Sequence, residues 1–343
     1  MISAGMMVKN EEARLADALG SVLDIADEVV IVDTGSTDRT IEIIESFRAL
    51  VSIPVHLYRS PWREDFSYHR NEVQGHCSGD WIFILDGDEI VEHPGNMREL
   101  IQNAPDDVDA YGVLLNAEMD SGALDSHHVP RAYRKSACRW QEPIHNQLVG
   151  YRKVLPSTAI VRSYYVGTLE DKAQRSIPML EKLHGEEPHA SHAPFFLAKT
   201  FRALGDMAKT RYYCEILRES IPDVDEMAIF WAWLVQSVAM MEGYDAADPI
   251  LDEALARHPK FAELWHLKLT SAVRKWSHYA QAPGKYIMQS NTTAPYVDNL
   301  PAASAMLGLP LKFTNIKREH LLGMLARIAE GIRKGEGNGA DDD

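Results

Sequence analysis

The chain has 343 residues, 45% hydrophobic and 25% charged, with a formal net charge of -15. That length accommodates two cores, since single domains commonly run to about 100–200 residues, and the composition excludes a fibre or a disordered chain. The acidic balance argues against a general affinity for nucleic acid, which rests on neutralising phosphates with Lys and Arg.

In the first half, short β-branched or aromatic runs alternate with helical patterns, the mark of a mostly parallel sheet covered by helices. Strands are expected at Ile2–Val8, Glu28–Asp33, Ile53–Arg59, Trp81–Asp86 and Ala110–Leu115, and helices at Glu11–Ala26, Asp38–Leu50, Ser67–Cys77 and Pro94–Asn103. The run Trp-Ile-Phe-Ile-Leu at 81–85 is continuously apolar, as for a strand buried on both faces. Polar residues gather where the strands end: Lys9-Asn10-Glu11, then Asp33-Thr34-Gly35-Ser36, then Asp86-Gly87-Asp88-Glu89. In open α/β sheets that edge binds ligands, so the clusters are read as one site.

Between Arg131 and Arg175, nine Lys/Arg stand against only Glu142, Glu170 and Asp171. The stretch reads equally as a local anion-binding face and as a solvated basic segment. From about Ser176 the pattern turns to amphipathic helices. Gly205-Asp-Met-Ala208, running to Pro222, is echoed by Gly243-Tyr-Asp-Ala246, running to Pro259; the offset is near the ~34 residues of tetratricopeptide helix pairs. Two domains are therefore expected, 1–170 and 176–330, with a disordered Gly- and Asp-rich tail at 334–343.

Cys77, Cys138 and Cys214 lie far apart and form no Cys-x-x-Cys pair, which fits a reducing compartment. With no signal-like start and no apolar run of about 18–20 residues, a cytoplasmic protein without a membrane span is expected.

Asp86 and Asp88 place two carboxylates where a buried strand leaves the sheet. A hard cation, Mn²⁺ or Mg²⁺, takes such oxygen ligands and shares its other positions with a diphosphate, offsetting charge on a departing group. Asp33 to Thr40 follows a strand and opens a helix. Ser36 or Thr37 as cap and Asp38 in the first turn explain most of it. Asp33 is left over, as a carboxylate able to accept hydrogen bonds from a base or ribose.

Taken together, Met7 to Glu12, Val32 to Asp38, Arg70-Asn71, Gly79-Asp-Trp-Ile and Asp86-Gly-Asp-Glu89 resemble a family-two glycosyltransferase of the GT-A fold. The likeness is to the bacterial branch that carries C-terminal tetratricopeptide-like helices and includes enzymes glycosylating peptides. It covers roughly residues 1–170. The resemblance implies an α/β GT-A domain with a mixed, mostly parallel sheet, followed by an all-α domain. It also implies transfer of a sugar from a nucleoside diphosphate sugar, with UDP first in expectation, to an acceptor hydroxyl or thiol, with inversion.

By the same resemblance Lys9, Glu11, Asp33, Arg70 and Asp86 bind the donor, Asp88 and Asp86 hold the metal, and His145 in Trp140-Gln-Glu-Pro-Ile-His145-Asn146 is a third metal ligand. Asn146 replaces the usual Glu, which leaves Glu142, Glu118 and Asp120 as carboxylates for a general base. The acceptor is left open among peptide, protein and glycan, with a modified DNA base as a minor alternative, and the helical domain is expected to serve as acceptor platform or homo-oligomer contact. A non-catalytic repeat protein with a relic α/β domain is the reading from another class.

Overall fold

A computed structural model describes residues 1–118, 124–164, 168–220 and 228–279. The chain divides into two compact units, Met1–Met179 and Leu180–Asp343.

The first unit is built on an eight-stranded sheet. In chain order it contains β1 (Ile2–Val8), α1 (Leu15–Ser21), β2 (Glu28–Asp33), α2 (Thr40–Leu50), β3 (Val55–Arg59), α3 (Phe66–His76), β4 (Trp81–Ile84), β5 (Glu89–His93) and α4 (Met97–Gln102). There follow β6 (Ala110–Glu118), β7 (Leu124–Arg134), β8 (Arg139–Gln141), β9 (Gln147–Val149), β10 (Val154–Ser163) and α5 (Leu169–Glu186), whose last residues belong to the second unit. The strand order is β3-β2-β1-β4-β7-β6-β10-β5, with β8 and β9 as a separate two-stranded ribbon. β3, β2, β1 and β4 run parallel, β7 is antiparallel to β4 and β6, β10 is parallel to β6, and β5 is antiparallel to β10. The sheet is mixed and mostly parallel, as expected.

Two apolar layers explain the continuous apolar strands. Val29, Ile31, Trp81, Phe83 and Leu85 point into the layer that takes Leu15, Leu19, Ile44 and Met97 from the helices. Their neighbours Val30, Val32, Ile82 and Ile84 point into the opposite layer, with Val73 of α3, Tyr133 and Trp140. Each such side chain removed from water contributes roughly 1.5–3 kcal/mol. Gly5 lets α3 approach β1, since a Cβ there would lie 2.7 Å from Cγ1 of Val73.

Only residues 85–88 separate β4 from β5, yet β5 is four strand positions away. Four spacings in a flat sheet are about 19 Å, beyond the roughly 18 Å that the five steps from Ile84 to Glu89 span at about 3.5 Å each. The linker instead makes a tight turn, Glu89 N–H donating to the Asp86 carbonyl at 3.0 Å. The sheet must therefore curl, returning its β10–β5 edge to the end of β4, where the Tyr164 N–H donates to the Asp88 carbonyl at 2.9 Å.

The helix expected over Glu11–Ala26 is shorter. Glu11–Arg14 is a turn tied to the next loop, and Gly20 with Val22 weakens the far end. β7 and β10 escaped the sequence reading because each carries a proline where the ladder slips. Pro130 lies opposite Gly112, beside the register shift in β6, and the shift in β10 begins at Pro156.

In the second unit α6 (His192–Ala203), α7 (Met207–Ser220), α8 (Ile229–Glu242), α9 (Tyr244–Arg257) and α10 (Ala262–Tyr279) follow one another. The two echoed glycines occupy equivalent turns, Gly205 between α6 and α7 at φ 79° and Gly243 between α8 and α9 at φ 92°, conformations that glycine alone adopts without strain. Tyr213, Trp231 and Trp233 are core residues, whereas Tyr212 is 60% exposed. The parts of the expected domain beyond residue 279, and the tail at 334–343, lie outside the described residues.

Candidate active site

Three loops leave the carboxyl ends of β1, β2 and β4, and hydrogen bonds lock the first two together. Asn10, at φ 57°, donates its N–H to Oγ of Ser36 at 2.9 Å, and its Oδ1 accepts the Thr37 N–H at 2.8 Å. The Glu11 N–H donates to Oγ1 of Thr40 at 2.7 Å, and the Glu12 N–H to Oδ2 of Asp38 at 3.1 Å. Ser36 is thus a partner of Asn10, and the first turn of α2 is closed by Asp38, whose Oδ1 accepts the Thr40 N–H at 3.0 Å. The cap is not at Ser36 or Thr37, as expected, but at Arg39, which makes no side-chain cap hydrogen bond. Asp33 is buried, and its carboxylate accepts the N–H groups of Gly35 and Ser36 at 3.1 Å. Those bonds leave lone pairs for a ligand. Lys9 is exposed beside it.

The third loop carries the strongest electrostatics. Asp86 receives Nη2 of Arg70 at 2.7 and 3.0 Å and lies 3.5 Å from Nη1 of Arg131; Arg131 also pairs with Glu89. Both arginine side chains are 9% exposed. Burial opposes charge on Asp86, but the two guanidiniums outweigh it and hold the carboxyl below the usual range. Burial and the neighbouring Asp86 push Asp88 upward. Glu11 rises to about 7 through burial and the charges of Asp88, Asp86 and Asp38. Glu89 moves up by burial and by Asp86 and Asp88, against the pull of Arg131. Asp86, Asp88 and Glu11, drawn from two loops, therefore share one field in which negative charge exceeds its compensation.

That field suits a hard divalent cation, because oxygen donors that repel one another are relieved by bound positive charge. Among the described residues, however, no three His, Cys, Asp or Glu side chains converge as a ready ligand set. His145 is exposed at φ 52° in the loop between β8 and β9, and Glu142 is half-buried at φ 71° in the same loop. Asp120 and the Glu118 side chain lie outside the described residues.

Arg131 was missed as a site residue, and Glu89 was placed in its cluster without a role. Arg131 counted only as the start of the basic stretch; the available signal was an arginine among alternating residues of a strand. That stretch is largely spent on internal ion pairs. Arg131 pairs with Asp86 and Glu89, Arg134 and Arg152 with Asp109, Lys153 with Asp107, and Arg162 with Glu92. Two surface concavities lie elsewhere, one of about 590 Å³ bordered by Ser136, Arg139 and Gly150 and one of about 380 Å³ along α7. Neither contains the carboxylates, whose chemistry identifies the site better than concavity does.

The family model described as Glycosyl transferase family 2 matches residues 3–160. A TPR repeat-containing protein of Synechococcus elongatus is 28% identical over 242 residues, covering 65% of this chain and 58% of the relative. The SPbeta prophage-derived glycosyltransferase SunS of Bacillus subtilis is 27% identical over 214 residues, covering 59% of this chain and 50% of its own length. This chain thus spans little more than half the length of these curated relatives. Among solved structures, TarS of S. aureus superposes with a TM-score of 0.44 at 13% identity, over 72% of this chain and 55% of TarS.

Proposed function

We propose that the chain, whose residues 3–160 match the family model described as Glycosyl transferase family 2, transfers a sugar from a nucleoside diphosphate sugar to an acceptor hydroxyl or thiol. The observation that carries this is the shared electrostatic field of Glu11, Asp86 and Asp88, on loops at the same carboxyl edge of the sheet as Asp33, with negative charge in excess.

Asp33 receives the base or ribose through its remaining lone pairs, with Lys9 alongside. Asp88 and Asp86 would hold Mn²⁺ or Mg²⁺, with Glu11 as their neighbour and His145 as the candidate third ligand. When bound, the cation offsets charge on the leaving diphosphate. Arg70 and Arg131 act through Asp86, fixing its carboxylate before the donor arrives, so that little reorganisation remains for the reaction.

The acceptor oxygen or sulfur bonds to the anomeric carbon as the bond from that carbon to the diphosphate oxygen breaks. The diphosphate leaves with the electron pair, and the acceptor proton passes to a carboxylate, for which Glu142 is the described candidate and Asp120 the other. Inversion follows from a single displacement. UDP is the first nucleotide to test. Among the described residues no helix is long and apolar enough to cross a membrane, and a cytoplasmic site of action accords with three free cysteines. The helical unit, tetratricopeptide-like in its paired turns, is assigned to acceptor capture or self-association.

The test is calorimetric titration of UDP and GDP with Mn²⁺ or with EDTA, on wild type and Asp88→Ala. Metal-dependent binding that the variant loses is the expected result. Binding of neither nucleotide under either condition would sink this reading in favour of a relic domain serving the helices.

A further inference from the structure

The ribbon that carries Glu142 and His145 is hung on a helix. β8 and β9 pair with each other outside the eight-stranded sheet, with Arg139, Trp140 and Gln141 opposite Val149, Leu148 and Gln147. α3 supplies a row of hydrogen bonds to that segment. The Asn71 side chain grips both backbone groups of Trp140, Nδ2 donating to its carbonyl and Oδ1 accepting its N–H, each at 2.9 Å. An amide side chain used this way stands in for a neighbouring strand. One turn on, Nε2 of Gln74 donates to the carbonyls of Lys135 at 3.1 Å and Cys138 at 2.8 Å. At the start of α3 the Phe66 N–H donates to the Pro143 carbonyl at 2.8 Å.

The residue before Asn71 faces the carboxylates. Arg70 bonds Asp86 through Nη2, and its guanidinium lies 4.6 Å above the Trp140 ring. Its Nε and Nη1 are buried and hydrogen-bond nothing among the described residues, so that stacked ring is what they meet. The indole Nε1 is itself held by the Tyr133 hydroxyl at 3.0 Å. Two consecutive residues of one helix thus fix both sides of the site: Arg70 sets the metal-side carboxylate, and Asn71 sets the strand from which the 142–146 loop departs.

We infer that Asn71 is a positioning residue for sugar transfer, holding the loop of Glu142 and His145 in register with the Asp86–Asp88 loop through helix α3. This rests on the proposed glycosyltransferase activity. Asn71 faces backbone rather than ligand, so its loss affects where the loop sits during reaction and leaves the nucleotide's contacts with the β1, β2 and β4 loops in place.

The experiment uses the full chain with Mn²⁺, comparing wild type, Asn71→Ala and Gln74→Ala. Three quantities are followed: amide hydrogen exchange over 139–149 and over 81–84, calorimetric affinity for UDP, and release of UDP from UDP-N-acetylglucosamine without acceptor. For Asn71→Ala, exchange in the ribbon should rise about tenfold or more while that of β4 is unchanged. UDP affinity should stay within about twofold, and UDP release should fall by about 100-fold, as for a misplaced reacting group. Gln74→Ala, which leaves the Trp140 grip intact, should move the same quantities less, and it decides the matter if Asn71→Ala does not fold.

Unchanged exchange in the ribbon for both variants overturns the clamp. A loosened ribbon with undiminished UDP release, or UDP affinity falling in step with the rate, overturns the positioning role. A wild type that neither binds UDP nor releases it from the sugar nucleotide overturns the role together with the activity on which it rests, whereas the exchange result judges the clamp independently.

Discussion

The two ends of the sheet treat buried carboxylates in opposite ways. At the amino end of β2, Glu28 accepts the Ser78 N–H and the Ser78 hydroxyl, each at 2.7 Å, and the Ser3 hydroxyl, and these bonds overcome burial to hold its carboxyl below the usual range. Asp27 beside it, bonded by the Ile2 N–H and Arg98, is lowered against burial as well. Asp109, before β6, is lowered to about 2, chiefly by hydrogen bonds from the Arg152 guanidinium and backbone. At the carboxyl end Arg70 and Arg131 hold Asp86 down, but its neighbours Glu11, Asp88 and Glu89 all move up, because burial and mutual repulsion exceed the positive charge left to them. Full satisfaction marks carboxylates that hold the fold. A deficit of positive charge marks those kept for a partner that brings its own.

Neutralising one acid at each end should therefore give opposite results. The largest effect is expected from Asp88→Asn. It removes one carboxylate from the candidate metal pair and should lower turnover of a nucleotide sugar by about 100-fold or more, while the metal-free protein melts no lower than wild type. Glu28→Ala should do the reverse. It strands the Ser3 and Ser78 groups and should cost about 2–3 kcal/mol in denaturant unfolding, with nucleotide affinity unchanged in the fraction that remains folded. A destabilised Asp88→Asn, or a Glu28→Ala as stable as wild type, would dissolve the distinction between the two ends.

How far this contrast was legible in the sequence differs from residue to residue. Asp33, Asp86 and Asp88 announced themselves because each follows an apolar strand, and alternation along β2 and β4 into two layers needs only the period-two geometry of a strand. The curl of the sheet was hidden, since it follows from β5 and β10 at the far edge, and prolines 130 and 156 disguised the strands that build it. Arg131 was hidden for the same reason: its value depends on β7 lying beside β4, a pairing between residues some 50 apart in the chain. The basic stretch misled because charge counted along a chain does not show which carboxylates will be folded against it.

A smaller effect follows from the sign of the shift at Glu11. Its folded pKa of about 7 lies above the ordinary 4.5, so protonation favours the folded state. That contribution is complete below about 4.5 and is lost as pH rises through about 7. Asp109, lowered from 3.8 to about 2, acts oppositely: its contribution is present above 3.8 and is lost as pH falls through about 2. The melting temperature of the metal-free protein should therefore decline between pH 5 and pH 7.5, and Mn²⁺ should flatten the decline. Glu11→Gln should flatten it without metal and raise stability near neutrality by about 1 kcal/mol at most after solvent screening. A slope unaffected by either treatment would remove Glu11 from the shared field.

The smallest effect provides the control. Glu42 lies in the first turn of α2, at the same end of the sheet as Glu11, but it and its partner Arg39 are 73% and 76% exposed. Water already compensates its charge, and an exposed i,i+3 pair contributes little. Glu42→Gln should change stability by less than about 0.5 kcal/mol, with the same pH slope as wild type and the same metal-dependent nucleotide affinity. If it instead stabilised the protein as Glu11→Gln is expected to, the excess of acidic residues over the whole chain, rather than burial of a few at one edge, would be the source of the repulsion. The comparison would then rest on net charge and not on the site.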